Sequence, residues 1–380
     1  MQIALLSDGI FPFVMGGMQK HTYYLTKYLA QAGVDVDLYF TYPPGQDVMP
    51  DLHSLFTAEE VEHIRIQPIK RAAPQRFPGH YVWESYKHSE RIWDVLRHRL
   101  DVDFIYAQGF SGWKAMEMKK ERPDMPKIGV NFHGFEMWQK PATFKTRLEH
   151  WLLRPFVRKN LKLADVVLVL GHKLTPLVSH LLDGKKTALE SANGVTTDWL
   201  TASIRNRSQQ MRFVFMGRYE RRKGIEELHA TIKQLLPDFN FQFDIVGPIP
   251  THLQIRSDRV KYWGLVREER TVRSILAKGD VLVCPSYAEG MPTVILEAMA
   301  SGLAIIATNV GAVGDLVSED NGWIIPPGET AALQSAMIAA LTDSNAALSK
   351  KRAASCKRVR NAYLWQRVAA KTIEGIESVV

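Results

Sequence analysis

Cysteine is scarce: Cys284 and Cys356 are the two in 380 residues. Two thiols so far apart make neither a disulfide framework nor a zinc site, so the sequence predicts a protein of a reducing, intracellular compartment. No stretch reaches the roughly 18–20 uninterrupted apolar residues of a spanning helix. Met1-Gln2-Ile3-Ala4-Leu5-Leu6 runs straight into Ser7 and Asp8 without a basic segment, and no targeting signal is expected there. Any meeting with a membrane is therefore expected at its surface. Short repeats and low-complexity tracts are missing as well. What is present is a globular balance, 46% hydrophobic and 23% charged, which excludes disordered, collagen-like and small disulfide-built classes. A chain of 380 residues is long enough for two to three domains. Acids are in the minority, 40 Asp plus Glu against 48 Lys plus Arg, and the formal charge is +8. That surplus points to an anionic partner: nucleic acid, a membrane surface or a phosphorylated substrate.

Short β-rich runs alternate with helical patterns, which argues for parallel sheets in an α/β protein. Strands are predicted over residues 2–7, 35–40, 104–107, 127–132 and 165–170, with a helix over 22–32. The pattern then restarts, with strands over 212–216, 241–246, 280–284, 304–308 and 322–325 and helices near 225–236, 267–277 and 331–341. Between the two series, Asn193-Gly194 leads into a polar stretch, 196–210, the best linker candidate. The expected organisation is a first domain over 1–195, a second over 196–362, and a terminal segment 363–380 whose helix, 365–376, packs back on the first domain. Two such domains are expected to bind ligand in a crevice at the carboxyl ends of their strands.

The most informative segment is Ala288-Glu289-Gly290-Met291-Pro292-Thr293-Val294-Ile295-Leu296-Glu297, after the strand 280–284. Pro292 suits the first turn of a helix. Gly290 allows close approach to the backbone, and the amides of Met291, Thr293 and Val294 would form an anion site at the helix N-terminus. Two carboxylates beside an anion site suit a ligand with both phosphates and hydroxyls, such as a nucleotide sugar, with Glu297 on the ribose and Glu289 on the sugar. The bland alternative is that Glu289 caps the helix and Glu297 is solvated. Gly217-Arg218 and Arg222-Lys223-Gly224 end the strand 212–216. Arg218 and Lys223 there suit a diphosphate, a planar fork beside a point charge, unless the turn is simply solvated. In the first half, Gly16-Gly17 follows the first strand and permits a tight turn, yet it is not the dinucleotide fingerprint Gly-x-Gly-x-x-Gly. His133-Gly134 ends the strand 127–132, where ligands bind; a lone histidine is also often structural.

This set, in this order, resembles the retaining glycosyltransferases of the family 4 type, also called glycosyl transferases group 1, which have a GT-B fold. The resemblance runs nearly end to end and is most specific from Pro285 to Gly302. It implies two Rossmann-like α/β domains with parallel sheets facing a central cleft, the first binding the acceptor and the second the nucleotide sugar. It further implies that Arg218 and Lys223 hold the donor diphosphate, Glu297 the ribose, and Glu289 the donor sugar. Gly217, Gly290, Met291, Pro292, Thr293 and Val294 would shape that pocket, and the backbone of Leu265 would meet the base. His133 would hydrogen-bond the donor sugar, and Gly16 and Gly17 would line the acceptor and phosphate side of the cleft. Gly311-Ala312-Val313-Gly314-Asp315 departs from the family, which more often has a second Gly and a Glu, and this puts a role for Asp315 in doubt.

The reaction so implied is transfer of a hexose from a UDP- or GDP-sugar to a glycan or lipid-linked acceptor in cell-surface polysaccharide or lipopolysaccharide biosynthesis. Front-face attack is favoured, the departing diphosphate taking the acceptor proton; a covalent intermediate on Glu289 is not excluded by sequence. The competing readings are a nucleotide-sugar epimerase or phosphorylase on the same architecture, and a non-catalytic two-domain binding protein. Nucleic acid is disfavoured, because no recognition motif accompanies the positive charge. Residues 140–162 hold Lys140, Lys145, Arg147, Arg154, Arg158, Lys159 and Lys162 against one acid, Glu149, with Phe and Trp interspersed. Pro155 is expected to split this stretch into two short helices. It suits either an anionic membrane surface or a solvated basic face, whereas a second basic cluster over 350–360 is expected to be a solvated helix face. No cofactor is expected: no Asp-x-Asp motif stands at the phosphate site, and Arg218 with Lys223 can replace a cation. Transfer should therefore persist in excess chelator; activity abolished by chelator and restored by Mg²⁺ or Mn²⁺ would contradict this.

Overall fold

Continuous apolar runs such as Phe104-Ile105-Tyr106-Ala107 are buried along their whole length, as strands covered on both faces must be. The computed structural model describes residues 1–14, 16–42, 51–71, 77, 79–184, 186–201 and 210–380. They form two units, one of Met1–Gly134, Trp151–Asn193 and Trp365–Val380, the other of Phe135–His150 and Gly194–Leu364.

The first unit holds β1 (Gln2–Leu6), β2 (Asp35–Tyr42), β3 (Ile64–Lys70), β4 (Phe104–Gln108), β5 (Lys127–Asn131), β6 (Val166–Val169) and β7 (Ala188–Glu190). They make one parallel sheet in the order β3-β2-β1-β4-β5-β6-β7. The second holds β8 (Met211–Met216), β9 (Phe241–Val246), β10 (Val260–Gly264), β11 (Val281–Cys284), β12 (Ala304–Thr308) and β13 (Gly322–Ile325). Its order is β10-β9-β8-β11-β12-β13, again all parallel. Each sheet reverses its strand order once, between β1 and β4 and between β8 and β11. Loops leaving the carboxyl ends at such a reversal diverge and leave room for a ligand.

The strands absent from the sequence reading, β3, β7 and β10, are all edge strands. Edges bury one side less completely and tolerate proline and charge, as in the Ile64-Arg65-Ile66-Gln67-Pro68-Ile69-Lys70 of β3, so their apolar signal is diluted. The first helix starts earlier than expected, at Gly17 rather than 22, and runs Gly17–Gln31. Pro155 does not split its segment: one helix, Phe144–Leu163, passes through it. Proline forfeits one backbone hydrogen bond, but Val157, Asn160 and Leu161 are buried just beyond it and hold the later turns in place. Of the linker candidate, 202–209 lie outside the described residues; Trp199 before them is buried, and the Thr201 N–H donates to the Ala300 carbonyl at 3.0 Å. No helix of the described residues is long and apolar enough to cross a membrane.

The terminal helix Trp365–Glu377 belongs to the first unit. Its buried face is Trp365, Val368, Ala369, Thr372 and Ile376, one amphipathic stripe. Trp365, 1% exposed, stacks on Tyr24 at 5.5 Å and Tyr28 at 6.2 Å and meets the edge of His21 at 5.5 Å. Trp365→Ala is expected to cost about 3–5 kcal/mol, whereas Arg367→Ala, on the exposed face, should be neutral; denaturant titrations of the two variants check this.

Candidate active site

In the second unit the loops after β8 and β11 leave the strand-order reversal side by side. Gly224 has φ +67°, and a Cβ there would lie 2.1 Å from the Pro285 carbonyl oxygen. Only glycine lets the two backbones approach so closely, and beside it the Tyr287 N–H donates to the Arg222 carbonyl at 2.7 Å. This seats Lys223 against Glu289: the ammonium donates to Glu289 Oε1 at 2.6 Å, and the Ser286 hydroxyl donates to the same oxygen at 2.7 Å. Arg222 approaches the other carboxylate oxygen at 3.5 Å. The Glu289 side chain is only 7% exposed. Its backbone is clasped by the Gln139 amide, which donates to the Glu289 carbonyl at 2.6 Å and accepts its N–H at 3.1 Å. Gly311, at φ +53°, packs against that same carbonyl, where a Cβ would come within 2.1 Å.

The charges continue outward as a chain. Arg222 also contacts Glu136 at 3.2 Å and Glu220 at 3.4 Å, and Glu220 contacts Arg218 at 3.1 Å. Three cations thus face three carboxylates, and Arg218 is the open end, its side chain 68% exposed. Burial opposes the charge on Arg222, but Glu136, Glu289 and Glu220 outweigh it and raise the pKa. Burial pushes the Glu136 carboxyl up; Arg222 offsets this only in part, and Glu289 adds to it. The neighbouring Cys284 thiol is pushed up to about 11, by burial first and then by Glu289, so it is no nucleophile at neutral pH.

Helix Thr293–Ala300 begins one residue later than expected: Pro292 is its N-cap, in extended conformation at φ −68°, ψ 117°, rather than its first helical residue. No side chain caps this helix, so Glu289 is not a capping residue. The first-turn amides of Thr293 and Val294 precede any intrahelical acceptor. Met291 and Pro292 are buried, and Gly290 is half-buried. Glu297, in the second turn, is buried rather than solvated. Gly217 donates its N–H to the Val246 carbonyl at 3.0 Å, and Leu265 is exposed just beyond β10.

In the first unit, His133 follows β5 in the left-handed region at φ +60°, a conformation that costs a side-chain-bearing residue on the order of 1–3 kcal/mol. Asn131 offsets the strain by accepting the His133 N–H at 2.8 Å. The imidazole Nε2 shares a hydrogen bond of 3.0 Å with Gln108 Oε1, and its ring meets the edge of His21 at 4.9 Å. Beneath lies a buried polar layer: His21 bonds Asn193 at 2.9 Å and Tyr106 at 3.3 Å, and Asn131 donates to Tyr106 at 2.9 Å. Burial lowers the His21 pKa to about 4, the Asn193 bond opposing it. Burial and then His21 hold His133 well below 6.5. Gly16 and Gly17 open the first helix. A Cβ on Gly17 would meet nothing within 4 Å, so the fold itself does not require glycine there.

The structure therefore joins Glu289 directly to Lys223, and links Arg218 to them through Glu220 and Arg222. Gly290 to Val294 and Glu297 follow on the same loop and helix. Gly16, Gly17 and His133 belong to the other unit. The sequence reading assigned no role to Arg222, Glu136, Gln139 or Ser286. Arg222 had a signal, lying inside a basic triplet at a strand-end loop. Glu136 and Gln139 had none, because they reach the second unit from a part of the chain 150 residues before Glu289.

Residues 15–177 match the family model described as Glycosyltransferase Family 4, and residues 210–343 match Glycosyl transferases group 1. A Bacillus subtilis glycosyltransferase assigned to teichuronic acid biosynthesis, TuaC, is 32% identical over 282 residues, 71% of this chain and 70% of its own. Sucrose-phosphate synthase from Thermosynechococcus elongatus superposes with a TM-score of 0.77 at 20% identity over 100% of this chain and 98% of that one. HepE from Anabaena, in complex with UDP and glucose, superposes with a TM-score of 0.65 at 17% identity over 100% of both chains. With these likenesses, the two parallel-sheet Rossmann-like units are of the GT-B type.

An imidazole whose pKa is depressed stays neutral through the range where a free histidine gains its proton. In ¹³C-histidine spectra the His21 signal should remain that of a neutral ring from pH 8 down to about pH 5.5, and the His133 ring should gain its proton only below the usual histidine range. A midpoint near 6.5 for either ring would contradict the burial described.

Proposed function

We propose a specific reaction for this chain, which belongs to glycosyltransferase family 4, the glycosyl transferases of group 1: it moves a hexose, with retention, from a UDP- or GDP-sugar to a glycan or lipid-linked acceptor in cell-surface polysaccharide biosynthesis. The observation that carries this reading is the Lys223–Glu289 contact of 2.6 Å, built where strand order reverses and adjoining the free amides of a helix N-terminus. A donor brings phosphates for the cations and amides, and hydroxyls for the carboxylates. Arg218 and Lys223 would hold the diphosphate and take up its growing charge as the bond to the sugar breaks. Glu289 would accept hydrogen bonds from the sugar, Glu297 from the ribose, and the backbone at Leu265 would meet the base. His133, neutral at working pH, would serve as a hydrogen-bonding group on the donor sugar rather than as a proton carrier. The departing diphosphate takes the acceptor proton in this scheme, and positioning provides the rest of the acceleration. Arg218 and Lys223 do the work of a cation, so no metal is invoked.

Support also comes from relatives: TuaC is assigned to teichuronic acid biosynthesis, and HepE is solved with UDP and glucose. The free, buried thiols of Cys284 and Cys356 suit action in the cytoplasm. A thermal-shift panel of UDP- and GDP-sugars should give one donor that raises the melting point. With that donor, Lys223→Ala and Glu289→Ala are each expected to lower transfer by on the order of 100-fold. Arg218→Ala, exposed and free of folding consequences, should weaken donor binding with an unchanged melting point. Transfer left intact in all three variants would overturn the assignment.

A further inference from the structure

We infer that the helix Phe144–Leu163 is a docking surface for an anionic lipid bilayer. One side of the helix is anchored by buried Val157, Asn160 and Leu161. The other side is apolar and uncovered: Phe144 is 80% exposed and Trp151 63%, with Leu148, Leu152 and Phe156 also exposed. At 100° per residue, Phe144, Leu148, Trp151 and Leu152 fall within an arc of about 100°, a continuous stripe along a single helix. Because the helix runs unbroken through Pro155, the stripe keeps one direction. Arg147, Arg154 and Arg158 border it on one side and Lys145 on the other, while Lys159 and Lys162 fall within the arc in the last turns of the helix.

A line of aromatic rings, its middle members Trp113 and Phe110 buried, leads from the helix to a second exposed group. Phe156 touches Trp113 at 6.1 Å, Trp113 touches Phe110 at 5.4 Å, and Phe110 touches Tyr81 at 6.3 Å. Tyr81 is exposed, as are Trp83 and Phe77, which meet edge to face at 5.8 Å. Aromatic side chains spread over such a surface have the amphipathic character that settles at the headgroup level of a bilayer.

Charge selects the occupant. A stripe with cations along both borders would bring like charges together in a symmetric pairing of two copies, and an uncharged protein face would leave those cations unanswered. Two acids temper the charge locally, Glu149 at 3.9 Å from Lys145 and Glu117 at 2.7 Å from Lys159, but neither reaches Arg147 or Arg158. An anionic bilayer answers both features at once, taking up the apolar rings and facing the basic borders with headgroups. That this surface brings the enzyme to a lipid-linked acceptor rests on the glycosyltransferase reading; the binding itself does not.

The test is flotation of the full chain with vesicles of phosphatidylglycerol or of phosphatidylcholine. Binding to phosphatidylglycerol at low salt is expected, with little binding to phosphatidylcholine and loss at about 0.5 M salt. Arg147→Gln with Arg158→Gln should weaken it by on the order of ten-fold or more. Phe144→Ser with Trp151→Ser should abolish it with the melting point unchanged, since all four side chains are exposed. No flotation with phosphatidylglycerol at low salt, equal flotation with phosphatidylcholine, or variants that bind like the parent would each overturn the inference. So would a dimer in solution that Trp151→Ser dissolves while vesicles go unbound. Donor-induced thermal shifts, measured without vesicles, read the transferase assignment separately, so either can fail alone.

Discussion

Burying a carboxylate is expensive, and the second unit is arranged around meeting that cost at Glu289. Removing one partner of such a buried pair typically costs 3–5 kcal/mol, because the remaining charge stays uncompensated. Lys223 and Ser286 both bond Oε1, and Gln139 fixes the backbone of the same residue. The loops after the two central strands β8 and β11 are therefore locked to each other before any ligand arrives. That is the preorganisation a transferase needs if its acceleration comes from placement and charge rather than from a covalent intermediate.

The same pairing restricts what can bind. A bare anion drawn to Lys223 would compete with Glu289 and leave its carboxylate buried without a cation. A ligand that supplies hydroxyl donors to Glu289 while it offers oxygens to Lys223 and Arg218 avoids that penalty. On the proposed reaction, selectivity for a sugar attached to a phosphate over phosphate alone would follow from this pairing.

How much of this was legible in the sequence depended on how completely each segment is buried. Central strands, apolar on both faces, stood out as unbroken runs, and β9 and β12 carry their expected bounds, as does one edge strand, β13. Edge strands such as β3 and β10 did not, since their outer sides carry polar residues and, in β3, proline. Within the candidate site, Glu289, Lys223 and Arg218 were legible because strand-end loops with glycine and charge are where α/β sheets hold ligands. Glu136 and Gln139 were not, since their partners are set by tertiary folding rather than by neighbours along the chain. Pro155 shows the same in reverse: a local rule against helix gave way to buried contacts on the following turn.

The path of the chain also constrains how the protein is made. Neither unit is one continuous stretch: the second draws in Phe135–His150 from within the first, and the first takes Trp365–Val380 from beyond the second. During synthesis the first unit has emerged nearly entire while its final helix is still untranslated, so the aromatic bed of Tyr24, Tyr28 and His21 must wait uncovered for Trp365. A cut anywhere in the long interval before that helix would not release two independent halves. It would deprive the first of the segment that closes it.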